Sequence, residues 1–239
     1  MPIGIIGGSG LYGIVEGRPD IVETPHGMTT VVRGRMNGVD VVFIPRHGLR
    51  HEHPPHTVNY KANIFELHRL GCQSIFSVCA AGVLSRFKPG DIILARDFIA
   101  FHILETFFDS FREGMRHTDF TEPYSSELCD VLKRAAKKAR VPLKDGGVIF
   151  NTFGPRYETK AEIRAMAKMG ANLVNMTNAH EAILAHELGL RFATIAIATN
   201  WACGLAKKPL SHEEVLATMR EKEGAVKRLL AHAVAMVGR

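Results

Sequence analysis

Four polar stations each stand just past an apolar run of strand length: Ser9 in the turn Gly8-Ser9-Gly10, the pair Arg46-His47, Thr177, and Asn200. Arginine offers a planar fork of donors, and a hydroxyl and glycine amides add more. A threonine ahead of a helix sits where the helix dipole favours negative charge, so the set has the chemistry of an oxyanion cradle. Strand ends are also where open α/β sheets bind ligands. Each residue alone is better explained by a turn or a cap; their conjunction is what points to phosphate.

Two motifs invite other chemistry and fail on context. Gly8-Ser9-Gly10-Leu11-Tyr12-Gly13 is a literal GxGxxG after a strand, but Gly17 and Pro19 leave no room for the helix that a dinucleotide-binding turn must open. His47, His51, His53 and His56 could suggest zinc, yet Glu52 is their only acidic neighbour, no thiol is near, and Pro54-Pro55 breaks any helix that would align the rings. No metal and no redox cofactor is expected. The histidines read as surface or anion-contacting groups.

The elements that must position these groups are an alternation of strand-length apolar runs and helical patterns, which predicts an α/β fold with a central mixed β-sheet flanked by helices. Strands are expected at residues 3–7, 29–35, 39–45, 74–78, 91–99, 147–152, 172–175 and 192–198, with Asn37-Gly38 closing a hairpin. Thr159 with Glu162, Asn178 with Glu181, and Ser211 with Glu214 have capping-box spacing and mark helix starts. After Ser211, the residues Val215, Met219, Val226, Leu229, Leu230 and Ala233 recur at helical spacing and form a core-facing stripe. There is no linker and no repeat, so residues 1–239 read as a single domain.

With 46% hydrophobic and 23% charged residues, the chain has the composition of an ordinary globular protein. The four cysteines are scattered without a CxxC pair, and no apolar run approaches a membrane span. A cytoplasmic protein without membrane or nucleic-acid partners is expected. The net charge of +6 is spread out, and its densest group, Lys133, Arg134, Lys137, Lys138 and Arg140, reads as one solvated helix face.

Six segments, IIGGSGL, PRHGLRHEHPPHTVNYKANI, AAGVLSRFKPGDIIL, GPRYETKAEI, GANLVNMT and SHEEVL, carry a resemblance over nearly the whole chain to the trimeric purine nucleoside phosphorylase and methylthioadenosine phosphorylase family. The resemblance implies a phosphorylase fold, no cofactor beyond phosphate as co-substrate, and a homotrimer or hexamer with sites near subunit interfaces. It implies a phosphate site of Ser9, Arg46, His47, Cys79, Ala80 and Thr177, the cysteine and alanine acting through their backbone. Met176 is expected beneath the ribose, Tyr157 on the purine face, and His117 reaching from a neighbouring subunit toward the 5′ end.

Three positions bear on the substrate. Where adenine-accepting relatives resemble one another in a TDYD segment, this chain has Thr199-Asn200-Trp201-Ala202. An asparagine amide can donate to a 6-oxo group and accept from N7–H, whereas a carboxylate repels the carbonyl. Glu158 can accept N1–H, which 6-oxopurines carry and adenine lacks. His212 resembles the histidine that meets a ribose 5′-hydroxyl in ordinary nucleoside phosphorylases. Phosphorolysis of inosine and guanosine is therefore expected, with methylthioadenosine or methylthioinosine as the alternative. Against the family pattern, Cys79 replaces a threonine, Ala202 an aspartate and His180 a proline, and the segment from Phe101 to Phe107 is shortened.

Overall fold

A computed structural model describes residues 1–112, 114–206 and 210–238. Its strands are β1 (Ile3–Gly7), β2 (Pro19–Thr24), β3 (Gly27–Met36), β4 (Val39–Pro45), β5 (Ser74–Val83), β6 (Ile92–Ile99), β7 (Leu143–Asn151), β8 (Leu173–Asn175) and β9 (Arg191–Trp201). The helices are α1 (Tyr60–Arg69), α2 (Ser126–Ala139), α3 (Lys160–Lys168), α4 (Asn178–Glu187) and α5 (His212–Val237). All the strands join one mixed sheet in the order β2-β3-β4-β1-β5-β8-β7-β6-β9, and β9 also pairs with β5. Strands β5, β8, β7, β6 and β9 thereby close on themselves as a ring.

β1 is buried along its whole length because it lies between β4 and β5, parallel to both, with Ile5 opposite Phe43 and Phe76. Such a strand has no solvent face, which is why it reads as a continuous apolar run. β9 runs parallel to β5, and the pairing is interrupted by a bulge at Ala81 and Gly82. Because β1, β4, β5 and β9 all point the same way, their C-terminal ends meet at one edge. Ser9, Arg46-His47, Ala80 and Asn200 come together there from four strands.

The expected strands are all present, and Asn37 and Gly38 turn the β3–β4 hairpin with φ of 50° and 81°. β5 and β9 run further than expected, so Asn200 lies inside β9 rather than beyond it. β2 has no counterpart in the expectation. It is an exposed edge strand beginning at Pro19, so it lacks the apolar signal of a buried strand. Residues 8–18 form turns and bends with no helix, so the GxGxxG match is not a dinucleotide site.

Helix α2 buries Leu128, Cys129, Val131, Leu132, Ala135 and Ala136 and leaves Arg134, Lys137, Lys138 and Arg140 exposed, as a solvated basic face requires. The α5 stripe of Val215, Met219, Val226, Leu229, Leu230 and Ala233 is buried. Among the described residues no helix is long and apolar enough to cross a membrane.

Candidate active site

Ser9, Arg46, His47, Cys79, Ala80, Tyr157, Glu158, Met176, Thr177, Asn200 and His212 line one cleft of about 490 Å³ at the strand ends. Two expected residues lie outside it. Ala202 donates its amide to the Val83 carbonyl and faces an adjoining hollow that shares Tyr157 and Asn200. His117 is exposed and packs edge-on to Phe111, away from the cleft of its own chain.

At one end stand the Gly8 turn, Arg46 and His47. Gly8 is required there, since a Cβ would come within 2.7 Å of Arg46 Nη1. Gly10 has φ of 76° and backs onto Met219 of α5, so the glycines serve close packing. Arg46 corrects the open fork expected from sequence. Its Nε donates to Glu181 Oε1, and its Nη2 to Glu181 Oε2 at 2.9 Å and Ser77 Oγ at 2.9 Å. Its Nη1 donates to the Val78 carbonyl at 3.1 Å, leaving one Nη1 hydrogen for a ligand. Burial alone would discourage the charge, but the Glu181 carboxylate more than offsets it and keeps the guanidinium protonated.

Glu181 is therefore the counter-ion of Arg46 and not the capping carboxylate that its spacing from Asn178 implied. The cap of α4 is Thr177, whose side chain makes no cap bond. Asn175 Oδ1 instead accepts from the amides of Thr177 at 2.8 Å and Asn178 at 2.7 Å, while Asn151 Oδ1 accepts from Ala179 at 2.9 Å. These amides are already paired, and the hydroxyl of Thr177, which lines the cleft, donates a longer bond of 3.3 Å to the same Asn175 Oδ1. Asn175 Nδ2 also holds the Ala80 carbonyl at 2.8 Å, tying the start of α4 to β5. Asn175, Ser77 and Glu181 were not anticipated as site residues: Glu181 has the spacing of a cap, and Ser77 and Asn175 sit inside otherwise apolar strands with no local signal.

His47 Nδ1 lies 2.8 Å from the His53 carbonyl. Burial and the Arg46 charge hold its pKa down at about 3, so the ring is neutral. His51 was also missed as a site residue; it lines the cleft at φ of 60°, its Nδ1 2.6 Å from the Tyr12 hydroxyl and its ring between those of His47 and His212. Burial pushes the Cys79 thiol up to about 12, so this side chain brings no charge. Among the described residues no His, Cys, Asp and Glu cluster is arranged to hold a metal.

At the other end, Glu158 is buried, and its Oε1 accepts from the Thr152 hydroxyl at 2.8 Å. Burial raises its pKa, only partly countered by that hydrogen bond. Asn200 is oriented within its strand: Oδ1 accepts from Thr199 Oγ1 at 2.6 Å and Nδ2 donates to the Trp201 carbonyl at 3.0 Å. Each amide atom retains capacity for one more bond toward the cleft. Thr159 and Glu162 form a complete capping box that starts α3 beside Glu158. Ser211 caps α5 and places His212 at its first position, where its ring lies 5.4 Å from that of His51.

The departures near Phe101 are coupled to His180. Glu105 Oε2 lies 2.7 Å from His180 Nδ1, at an angle outside hydrogen-bond geometry, and Tyr60 stacks on the imidazole at 4.4 Å.

Residues 2–235 match the family model described as the phosphorylase superfamily. The chain is 43% identical to the "Probable 6-oxopurine nucleoside phosphorylase" of Moorella thermoacetica, over 98% of this chain and 92% of that one. It is 40% identical to the S-methyl-5′-thioadenosine phosphorylase of Pyrococcus furiosus, over 97% and 91%. Among solved structures, methylthioadenosine phosphorylase from Schistosoma mansoni in complex with adenine superposes with a TM-score of 0.92 at 31% identity, covering 100% of this chain and 92% of that one.

Proposed function

The chain belongs to the phosphorylase superfamily, within the purine and methylthio-nucleoside phosphorylases, and we propose that its substrates are 6-oxopurine nucleosides, inosine and guanosine, cleaved by phosphate to the free base and ribose 1-phosphate. The observation that carries this reading is Glu158. It is a buried carboxylate, fixed by Thr152, and among the described residues no ion pair neutralises it. While ionised, such a group accepts a ligand N–H, which N1 of a 6-oxopurine supplies and N1 of adenine does not.

The anionic end of the cleft holds phosphate through the remaining Arg46 hydrogen, Ser9 and the Thr177 hydroxyl. A phosphate oxygen bonds to C1′ as the C1′–N9 bond breaks. The electron pair passes into the purine, which takes a proton at N7 from solvent water. Asn200 accepts from that N7–H and donates to O6, while Tyr157 covers the base and Met176 underlies the ribose. Catalysis is positional and electrostatic, and losing one such contact costs about 3 kcal/mol in the barrier.

A second reading, methylthioinosine, keeps the same base and is favoured by Leu210 and Val215, which line the cleft beside His212. As a cytoplasmic salvage enzyme the protein would work as a trimer or dimer of trimers. The exposed Phe101, Leu104 and Phe153 supply apolar surface for the contact, and His117 completes a neighbour's site. The deciding experiment follows base release from inosine, guanosine, adenosine and methylthioadenosine, each with and without phosphate. Phosphate-dependent cleavage of the first two is expected; a preference for methylthioadenosine would overturn the assignment of the base pocket.

A further inference from the structure

His47 stands at the anionic end of the cleft, with Nδ1 2.8 Å from the His53 carbonyl. A carbonyl oxygen only accepts, so Nδ1 must carry the hydrogen and donate. In a neutral imidazole the other nitrogen then bears a lone pair and no hydrogen. That nitrogen, Nε2, faces the glycine turn: a Cβ built on Gly8 would lie 3.5 Å from it and 2.7 Å from Arg46 Nη1. The same small space is thus bordered by a cation with one hydrogen to give and an imidazole nitrogen that can only receive.

We propose that His47 makes the site selective for protonated oxyanions: the bound anion must present a P–OH, or its equivalent, to Nε2, so that phosphate and arsenate are accepted while proton-free tetrahedral dianions are refused. The proposal rests on the placement of phosphate at this end of the cleft. It goes further by assigning an acceptor to a site otherwise built of donors. Protonating His47 to turn it into a donor is opposed by its surroundings, since Arg46 is its sequence neighbour and the rings of His51 and His212 lie close by. A second consequence follows for the reaction. With the hydroxyl turned toward His47, the unprotonated oxygens are the ones left to face Arg46, Ser9, Thr177 and the sugar, and these are the nucleophilic ones.

Discrimination of this kind is strong, because an analogue without the hydrogen sets a lone pair against a lone pair and leaves a buried acceptor unpaired. The test is a calorimetric titration of the full-length chain with phosphate, arsenate, sulfate and monofluorophosphate at mildly alkaline pH. All four are dianions there, so charge is matched, but only the first two carry a proton. Phosphate and arsenate are expected to bind alike, and sulfate and monofluorophosphate about a hundredfold or more weaker. In His47→Gln the obligate acceptor gives way to a carboxamide that can turn its N–H to a proton-free anion, and the ratio should fall to within about tenfold.

Equal binding of all four anions by the wild type would overturn the proposal while leaving the phosphate site in place. A preference that survives in H47Q would remove His47 as its cause. Binding of none of them would overturn both this inference and the phosphorolytic reading. The wild-type ratio needs no variant, so it decides even if H47Q fails to fold.

Discussion

At the level of single residues, Glu158 couples specificity to stability. Burial raises its pKa, so the fold favours the protonated carboxyl more than the unfolded chain does. The wild type therefore loses stability as pH rises from the ordinary carboxylate range through that raised value. Glu158→Gln cannot ionise. It should be more thermostable than the wild type above the raised pKa, with the difference closing in acid, and a thermal melt across pH reads this directly. The same variant should lose about 10²–10³ in kcat/KM for inosine and far less for adenosine. Unchanged inosine kinetics would remove Glu158 from the base pocket. Arg46 behaves in the opposite way, because removing it orphans the buried Glu181 carboxylate. Arg46→Ala should cost about 3–5 kcal/mol in denaturant unfolding, which makes it a poor probe of phosphate binding. Ser9→Ala is the cleaner probe: a raised KM for phosphate is expected with the melting temperature unchanged.

At the level of elements, the start of α4 is organised by a residue outside the helix. Asn175 satisfies two amides and a β5 carbonyl at once. Asn175→Ala should cost about 1–2 kcal/mol, as loss of a cap does, and should raise the KM for phosphate more than that for the nucleoside, because Thr177 loses its anchor. Equal changes in both constants would mean that the turn serves the cleft only as general scaffolding. This turn also marks where sequence reading stops. The strands β1, β4 and β9 were legible because they are apolar and bounded by turns. The same logic placed Ser9, Arg46 and Thr177 just past strand ends, whereas Asn200 lies inside β9, which runs further than its apolar stretch. Edge strand β2 was not legible, since an exposed strand carries no burial pattern. The Arg46–Glu181 pair and the Asn175 bracket were not legible either. The ion pair joins residues 135 positions apart and the Asn175 bond to the Ala80 carbonyl spans 95, and local spacing says nothing of such meetings.

At the level of the whole molecule, the proposed assembly ties the site to a neighbouring subunit through His117. His51 and His212 line the cleft, whereas His117, expected to reach toward the 5′ end of a neighbour's nucleoside, lies exposed on the long segment between β6 and α2. That segment is tied down by Glu187, which accepts from Thr106 Oγ1 and the Phe107 amide, both at 2.6 Å. Before this tie the chain presents Phe101 and Leu104 to solvent, 79% and 85% exposed. Large apolar side chains three positions apart and this exposed are the kind of surface that another subunit covers. If the neighbour both covers them and receives His117, assembly and turnover must fail together. The double variant Phe101→Glu, Leu104→Glu should therefore shift the mass by light scattering from about three or six times 26.4 kDa toward one, and lower kcat/KM in parallel. His117→Ala should lower activity while leaving the mass unchanged. A dissociated double variant with full activity would place every group the reaction needs within one chain, and the role given to His117 would fall with it.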